Sequence, residues 1–298
     1  MDSIVTPKDN IILVPTDFST SANFALEHSV EIAKLFDNEI TLLYVVEENF
    51  LTNLFGNSIE KSVMLDTVNK KLIEKADELK AKHPGLIVNA MVREGKPYKM
   101  IVEAAETLAC DSIVMGYSGS SSLEYFMGGT TNRVLKSSPV PVVVIKDTPA
   151  KVKYEKIVMP IDLSRESRQK VSWATHLAKK YNSEIHVIME MQKDEFAVNK
   201  VKGSLLQVEN MLAKEGVRHV TKILDDANYP DHFGKDILQY CEEVGADMVM
   251  IMTQQEKELK EYFLGSFARH IIENSRIPVM AIKPKELPIN YWATESFA

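Results

Sequence analysis

The stretch GYSGSSSLEYFMGGTTNR holds four residues whose types and spacing suit an anion: Gly116, Gly119, Gly129 and Thr130. Glycines placed this way let backbone amides approach a polyphosphate with no β-carbon between. The Gly129–Thr130 step opens a helix-like pattern, whose first free N–H groups and positive dipole end attract phosphate oxygens. Thr130 adds a hydroxyl. An acid, Asp17, follows the first apolar run, IILVP, and Val45–Val46 close the second. Each feature also has a plainer reading. Gly116 and Gly119 fit a strand-to-loop corner that needs positive φ, and Asp17 fits an Asx turn or a helix N-cap. Neither GxxxxGK[ST] nor GxGxxG is present, so the P-loop and the usual dinucleotide fingerprint are excluded.

Other chemistry-bearing residues are less organised. Cys110 and Cys241 have no Cys or His partner at metal-ligand spacing and read as reduced, apolar packing residues. His28 and His176 fall at matching places on two helices and read as packed or partly exposed. His232, beside Asp231 in NYPDHFGKD, lacks a third ligand for a metal role. Glu47 and Glu48 read as a solvated loop. No Ser/His/Asp arrangement has motif context, and no catalytic residue is assigned.

The elements that must position these residues are written twice. IILVPTDFSTSANFALEHSVEIAKLFDNEITLLYVV matches KIVMPIDLSRESRQKVSWATHLAKKYNSEIHVIME, aligning Asp17 with Asp162 at an offset of 145. DSIVMGYSG matches DMVMIMTQQ at an offset of 136, and EYFMGG…SPVPVVVIK matches EYFLGS…SRIPVMAIK. The first copy therefore has nine extra residues between its two acids, assigned to an irregular stretch in 47–65. On this alignment Gly265–Ser266 pairs with Gly128–Gly129, one residue away from the Gly129–Thr130 step.

Within each copy, apolar runs alternate with helix-period segments, the first capped by Ser19 or Thr20. The order βαβαβαβαβ predicts two tandem doubly wound α/β domains, each a five-stranded parallel sheet with helices on both faces. The domains are expected at 1–148 and 149–284, with a tail at 285–298 whose Tyr–Trp pair is disordered or packs on a neighbouring surface. In such a sheet the ligand crevice lies beyond the carboxyl ends of the strands where their order reverses. Asp17, Val45 and Gly116 all fall there. In the second copy Met252, Thr253, Gln254 and Gln255 stand where GYSG stood, and the side chains that replace its two glycines are expected to fill the phosphate space. That copy reads as a degenerate domain or as an altered second site.

A chain of 298 residues accommodates two domains, and 45% hydrophobic with 26% charged residues is a globular composition. A net charge of −7 argues against a nucleic-acid partner. The N-terminus has no secretory pattern and no apolar run is long enough for a membrane span, so a cytoplasmic location is expected.

VPTDFSTSA, LLYVVEE, DSIVMGYSG and PVPVVVIK, in that order and spacing, resemble the blocks of the universal stress protein family, over roughly residues 9–147 and 154–284. The resemblance is to the tandem form and implies an adenine nucleotide alpha hydrolase-like fold. Gly116, Gly119, Gly129 and Thr130 match the G-x2-G-x9-G-[ST] of nucleotide-binding members. It implies that Asp17 contacts adenosine, Val45 meets the base through its backbone, and Gly116, Gly119, Gly129 and Thr130 hold phosphates. The implied ligand is ATP, or AMP or ADP, with Mg²⁺. Such domains pair through their last strands, which implies an intramolecular pseudo-dimer here, with a homodimer of chains left open. The implied role is a nucleotide-responsive stress or regulatory factor. A slow ATPase, or self-phosphorylation at Ser118, Ser120, Ser121 or Ser122, is one alternative; a nucleotide-free scaffold is the other.

Overall fold

The structure, a computed structural model, describes residues 10–47, 58–117, 129–146, 154–191, 194–224, 233–253 and 264–284. Gly119, Ser118, Ser120–Ser122, His232, Gln254 and Gln255, and the tail at 285–298, lie outside the described residues.

The first copy runs β1 (Ile11–Pro15), α1 (Thr20–Phe36), β2 (Glu39–Val46), α2 (Ser58–Lys82), β3 (Val88–Glu94), α3 (Pro97–Thr107), β4 (Ser112–Gly116), α4 (Thr130–Ser137) and β5 (Val142–Ile145). The second repeats it: β6 (Lys156–Pro160), α5 (Arg165–Tyr181), β7 (Glu184–Glu190), α6 (Glu195–Lys214), β8 (Arg218–Leu224), α7 (Phe233–Val244), β9 (Met248–Met252), α8 (Ser266–Asn274) and β10 (Val279–Ile282). The helices begin and stop where local chemistry dictates. Ser19, Ser164 and Asp194 cap α1, α5 and α6 by accepting a bond from a first-turn amide. Asp37 and Asn182 end α1 and α5 in the left-handed conformation that short polar side chains tolerate.

The two five-stranded sheets form one sheet of ten strands, ordered β3-β2-β1-β4-β5-β10-β9-β6-β7-β8. Every described pairing within a domain is parallel, and β5 meets β10 antiparallel. At that seam Val143 faces Met280, Val142 faces Ala281 and Val144 faces Val279. Met280 is the repeat counterpart of Val143 (280 − 143 = 137), so an approximate two-fold axis passes through this pair. The apolar edges that PVVVIK and PVMAIK would otherwise expose are thereby covered by each other.

Helices cover both faces. One core joins α1, α2, α5 and α6 through residues such as Val30, Leu72, Ala174 and Val208; the other joins α3, α4, α7 and α8 through Ile101, Leu135, Ile237 and Ile271. Both cores run across the seam. On the α1/α5 side it is reinforced by Tyr154, fully buried, whose hydroxyl hydrogen-bonds His28 Nε2 and whose ring meets Tyr181 edge-on. His28 is thus a buried seam residue, and His176 stacks on Phe36.

Two details of the repeat differ from the sequence reading. Helix α2 already begins at Ser58, so the end of the stretch read as irregular is helical. The nine extra residues are also a net figure. Leu43 pairs with Met91 and Ile188 with Lys222, which lowers the offset to 131 at strand three (222 − 91). Against offsets of 145 before it and 136 after it, the first copy has fourteen more residues before this strand (145 − 131) and the second five more after it (136 − 131).

Candidate functional site

Strand order reverses between β1 and β4, and a cleft of about 790 Å³ opens beyond their carboxyl ends. Asp17, Val45, Gly116, Gly129 and Thr130 all line it. Five of the six site residues expected from sequence are therefore brought together in one cleft.

The cleft can be followed strand by strand. Tyr44, Val45, Val46 and Glu47 come from the end of β2, with Met64 of α2 and Ile101 of α3 adding apolar surface nearby. Asp17 comes from the end of β1. Its Oδ1 accepts a bond from Ser19 N at 2.9 Å, and Phe18 N donates to Thr16 Oγ1 at 3.0 Å. This is the Asx turn that the plainer reading of Asp17 predicts, and the carboxylate is exposed to the cleft at the same time. Phe18, at φ 62°, stacks on Tyr44 with ring centroids 5.1 Å apart, and the Lys71 ammonium lies 4.1 Å from the Phe18 ring centroid. Burial, with the Asp17 charge second, pushes the Tyr44 phenol up.

Gly116 ends β4, and its environment corrects the reason expected for it. A β-carbon there would lie 2.5 Å from the Ser21 carbonyl carbon and 2.7 Å from Ala22 N. The missing side chain is needed for α1 to pack against β4. The residue has an ordinary φ, outside the left-handed region, so the corner reading is also not its reason.

Gly129 is the N-cap of α4 and offers no side-chain cap, in contrast to Ser19 on α1. The first amides of α4 are therefore without a capping side chain at the cleft, a ready position for an anion. Thr131 Oγ1 lies 3.4 Å from Gly116 O, tying the start of α4 to the end of β4. The N-cap of α8 is Gly265, and the C-caps are Ser138 and Ser275. Gly129 thus corresponds to Gly265 at the cap, and the one-residue discrepancy between the copies is absorbed inside the longer α8. The step that heads the helix is Gly129–Thr130.

Beyond β5 the cleft acquires residues that the sequence reading did not place: Lys146, and Arg269 and Glu273 from α8 of the other domain. Lys146 Nζ donates to Glu273 O. Tyr117, just past β4, has its phenol pushed up by burial and then by Glu273, with Arg269 pulling the other way. Lys146 follows the last apolar strand directly and could have been noted; no local pattern announces Arg269.

The second domain is built differently at the same place. Met252 replaces Gly116, and its side chain is fully buried in the core beside α5. It fills the helix–strand contact, so the expectation that it would occupy phosphate space is corrected. Asp162 keeps the turn, with Oδ1 accepting from Ser164 N at 2.8 Å and from the Ser164 hydroxyl. Behind it Lys170, at the position of Ala25 (170 − 145), is fully buried, and Nζ donates to Pro160 O. Burial pushes this ammonium down to about 7, with Asp162 opposing.

Among the described residues no group of three His, Cys, Asp or Glu side chains is placed to hold a metal ion. A Mg²⁺ ion here would be carried on nucleotide phosphates, as suits a cation that keeps most of its water, and the carboxylates lining the cleft are Asp17, Glu47 and Glu273. Among the described residues no helix is long and apolar enough to cross a membrane. Burial pushes the Cys110 and Cys241 thiols up to about 12.

Comparison with known proteins agrees with this architecture. Universal stress protein MJ0531 of Methanocaldococcus jannaschii is 32% identical over 152 residues, which cover 49% of this chain and 89% of that protein. Universal stress protein MJ0577 of the same organism is 33% identical over 151 residues, covering 45% and 93%. The fold is that of a crystal structure of a universal stress protein from Archaeoglobus fulgidus, with a TM-score of 0.74 at 22% identity, covering 93% of this chain and 97% of the other. The universal stress protein family matches twice, over residues 10–146 and 153–283, and the chain belongs to that family as a tandem pair of its domains.

Proposed function

We propose that the N-terminal domain binds an adenine nucleotide, ATP with Mg²⁺ in its fullest form, and that the protein acts in the cytoplasm as a nucleotide-responsive stress or regulatory factor. The observation that carries this reading is the polarity of the cleft. It starts among apolar and aromatic side chains at β2, passes the Asp17 carboxylate at β1, and ends at the uncapped start of α4 with Lys146 beyond. A base, a ribose and a phosphate chain require those environments in that order. The family resemblance assigns the same roles to Asp17, Val45, Gly116, Gly119, Gly129 and Thr130.

The C-terminal domain is read as a partner without a nucleotide. Its strand-one acid also accepts from the Ser164 hydroxyl, and a buried lysine stands where the first domain has an alanine.

Native mass spectrometry of the purified chain with Mg-ATP tests this reading. One nucleotide per chain is expected. Two per chain would refute the asymmetry, and no bound nucleotide together with a flat thermal shift would refute the function.

A further inference from the structure

The far end of the cleft is made by two domains. Asn132 of α4 and Arg269 of α8 both line it. Each lies six residues before the serine that ends its helix, Ser138 or Ser275 (138 − 132 and 275 − 269), so they occupy one equivalent position on two helices related across the β5/β10 seam. One copy of the position faces its own domain's cleft as asparagine, and the other reaches in from across the seam as arginine.

Charge at this end is mixed, two cations with the Glu273 carboxylate among them. Lys146 and Arg269 line the cleft, and Arg133 and Lys136 stand close by on α4. Burial, then Arg269 and Arg133, pushes the Lys136 ammonium down, which places these three cations near one another. Arg133 is engaged over the Tyr98 ring at 5.1 Å. Glu273 is one turn along α8 from Arg269, yet among the described residues Arg269 forms no ion pair with a carboxylate. A guanidinium that lines the cleft beside the Lys146 ammonium, with no carboxylate paired to it among the described residues, suits a bound anion. A guanidinium fork is suited to two phosphate oxygens.

We propose that Arg269 of the C-terminal domain binds the outermost phosphate of a nucleotide held by the N-terminal domain, so that the site is completed across the seam and distinguishes nucleotides by phosphate number. This rests on the nucleotide reading above. The direction follows from the sheet. Starting from the Asp17 end, a phosphate chain passes the amides of α4 beyond β4, then Lys146 beyond β5, and only then reaches Arg269. A monophosphate ends before the seam and a triphosphate reaches it. The C-terminal domain, without a nucleotide of its own, thereby reads the state of its neighbour's.

The test is calorimetric titration of the full chain with ATP, ADP and AMP, in Mg²⁺ and at fixed salt, for the wild type, Arg269→Gln and Arg269→Lys. Arg269→Gln should weaken ATP by about 10–100-fold, the loss of one charge-assisted contact, and leave AMP within about twofold. Arg269→Lys should recover part of the ATP affinity, because it restores the charge without the fork. Retained AMP affinity shows that the variant is folded. Unchanged ATP binding in Arg269→Gln overturns the inference and leaves the nucleotide reading standing, as does an equal loss for all three nucleotides. A wild type that binds none of them overturns both.

Discussion

Gly116 and Ser21 approach so closely that a β-carbon on the glycine would stand 2.5 Å from the Ser21 carbonyl carbon. The neighbour is backbone, so it cannot move aside as a flexible side chain would. Gly116→Ala should therefore cost about 1–3 kcal/mol by overpacking, measured by urea unfolding without any ligand. An alanine variant as stable as the wild type would show that α1 yields. A glycine-to-valine change here makes a poor probe of ligand binding, since it attacks the fold first.

Asp17 has both a structural and a ligand-facing role, and two substitutions separate them. Asp17→Asn keeps an oxygen to accept from Ser19 N and removes the charge. It should leave the melting temperature within a few degrees and weaken nucleotide binding about tenfold or more, read by calorimetry. The matching change Asp162→Asn should leave nucleotide binding unaltered. If the two variants behave alike, the assignment of the site to the first domain is wrong.

Lys170 gives the second domain a pH signature. Its ammonium is held near 7 when folded and takes the ordinary lysine value, about 10.4, when unfolded. Between those values the unfolded chain binds more protons, so this residue's contribution to stability rises with pH. Its burial cost is fully present below about 7 and is relieved toward 10. Lys170→Met should abolish that rise and stabilise the protein at pH 6 by about 1–4 kcal/mol. Denaturation curves at pH 6 and pH 9 decide the matter; parallel behaviour of variant and wild type would contradict it.

The seam predicts the behaviour of half the molecule. Residues 1–148 alone would present β5 as an apolar edge with its ladder groups unpaired. Val143 already pairs with its own counterpart, so a second copy of the same strand fits by the same axis. The fragment should run as a dimer in light scattering, and Val143→Lys should shift it toward monomer. A monomeric wild-type fragment would count against this reading of the seam.

Nine of the ten strands could be read from apolar runs, and the repeat from the aligned acids, because those signals are local and periodic; β8, RHVTKIL, mixes polar residues into the run and follows only from the repeat. The cleft's location followed from strand order alone. The rest was hidden for identifiable reasons. Gly116 has the spacing of a phosphate glycine, but the backbone that excludes its side chain belongs to Ser21 and Ala22, far away in sequence. Lys170 looks like one more polar residue on a helix until its burial is seen. Arg269 reaches the other domain's cleft through a seam whose register no window of sequence contains. The helical start of α2 was missed because its first turns carry no clear apolar period.

The pairing of Val143 with Met280 has a consequence for how such a molecule can diversify. Two identical subunits around a true axis must accept every substitution twice: a methionine at position 116 would press on the helix–strand contact of both halves, and an arginine at position 132 would appear on both sides. Joining the halves in one polypeptide removes that obligation. One half can give up its glycine and bury a lysine while the other keeps the glycine and an alanine, and the residue lent across the axis need not equal the residue received. The fused chain keeps the geometry of a symmetric pair and gains a donor half and an acceptor half, a division of labour closed to a homodimer.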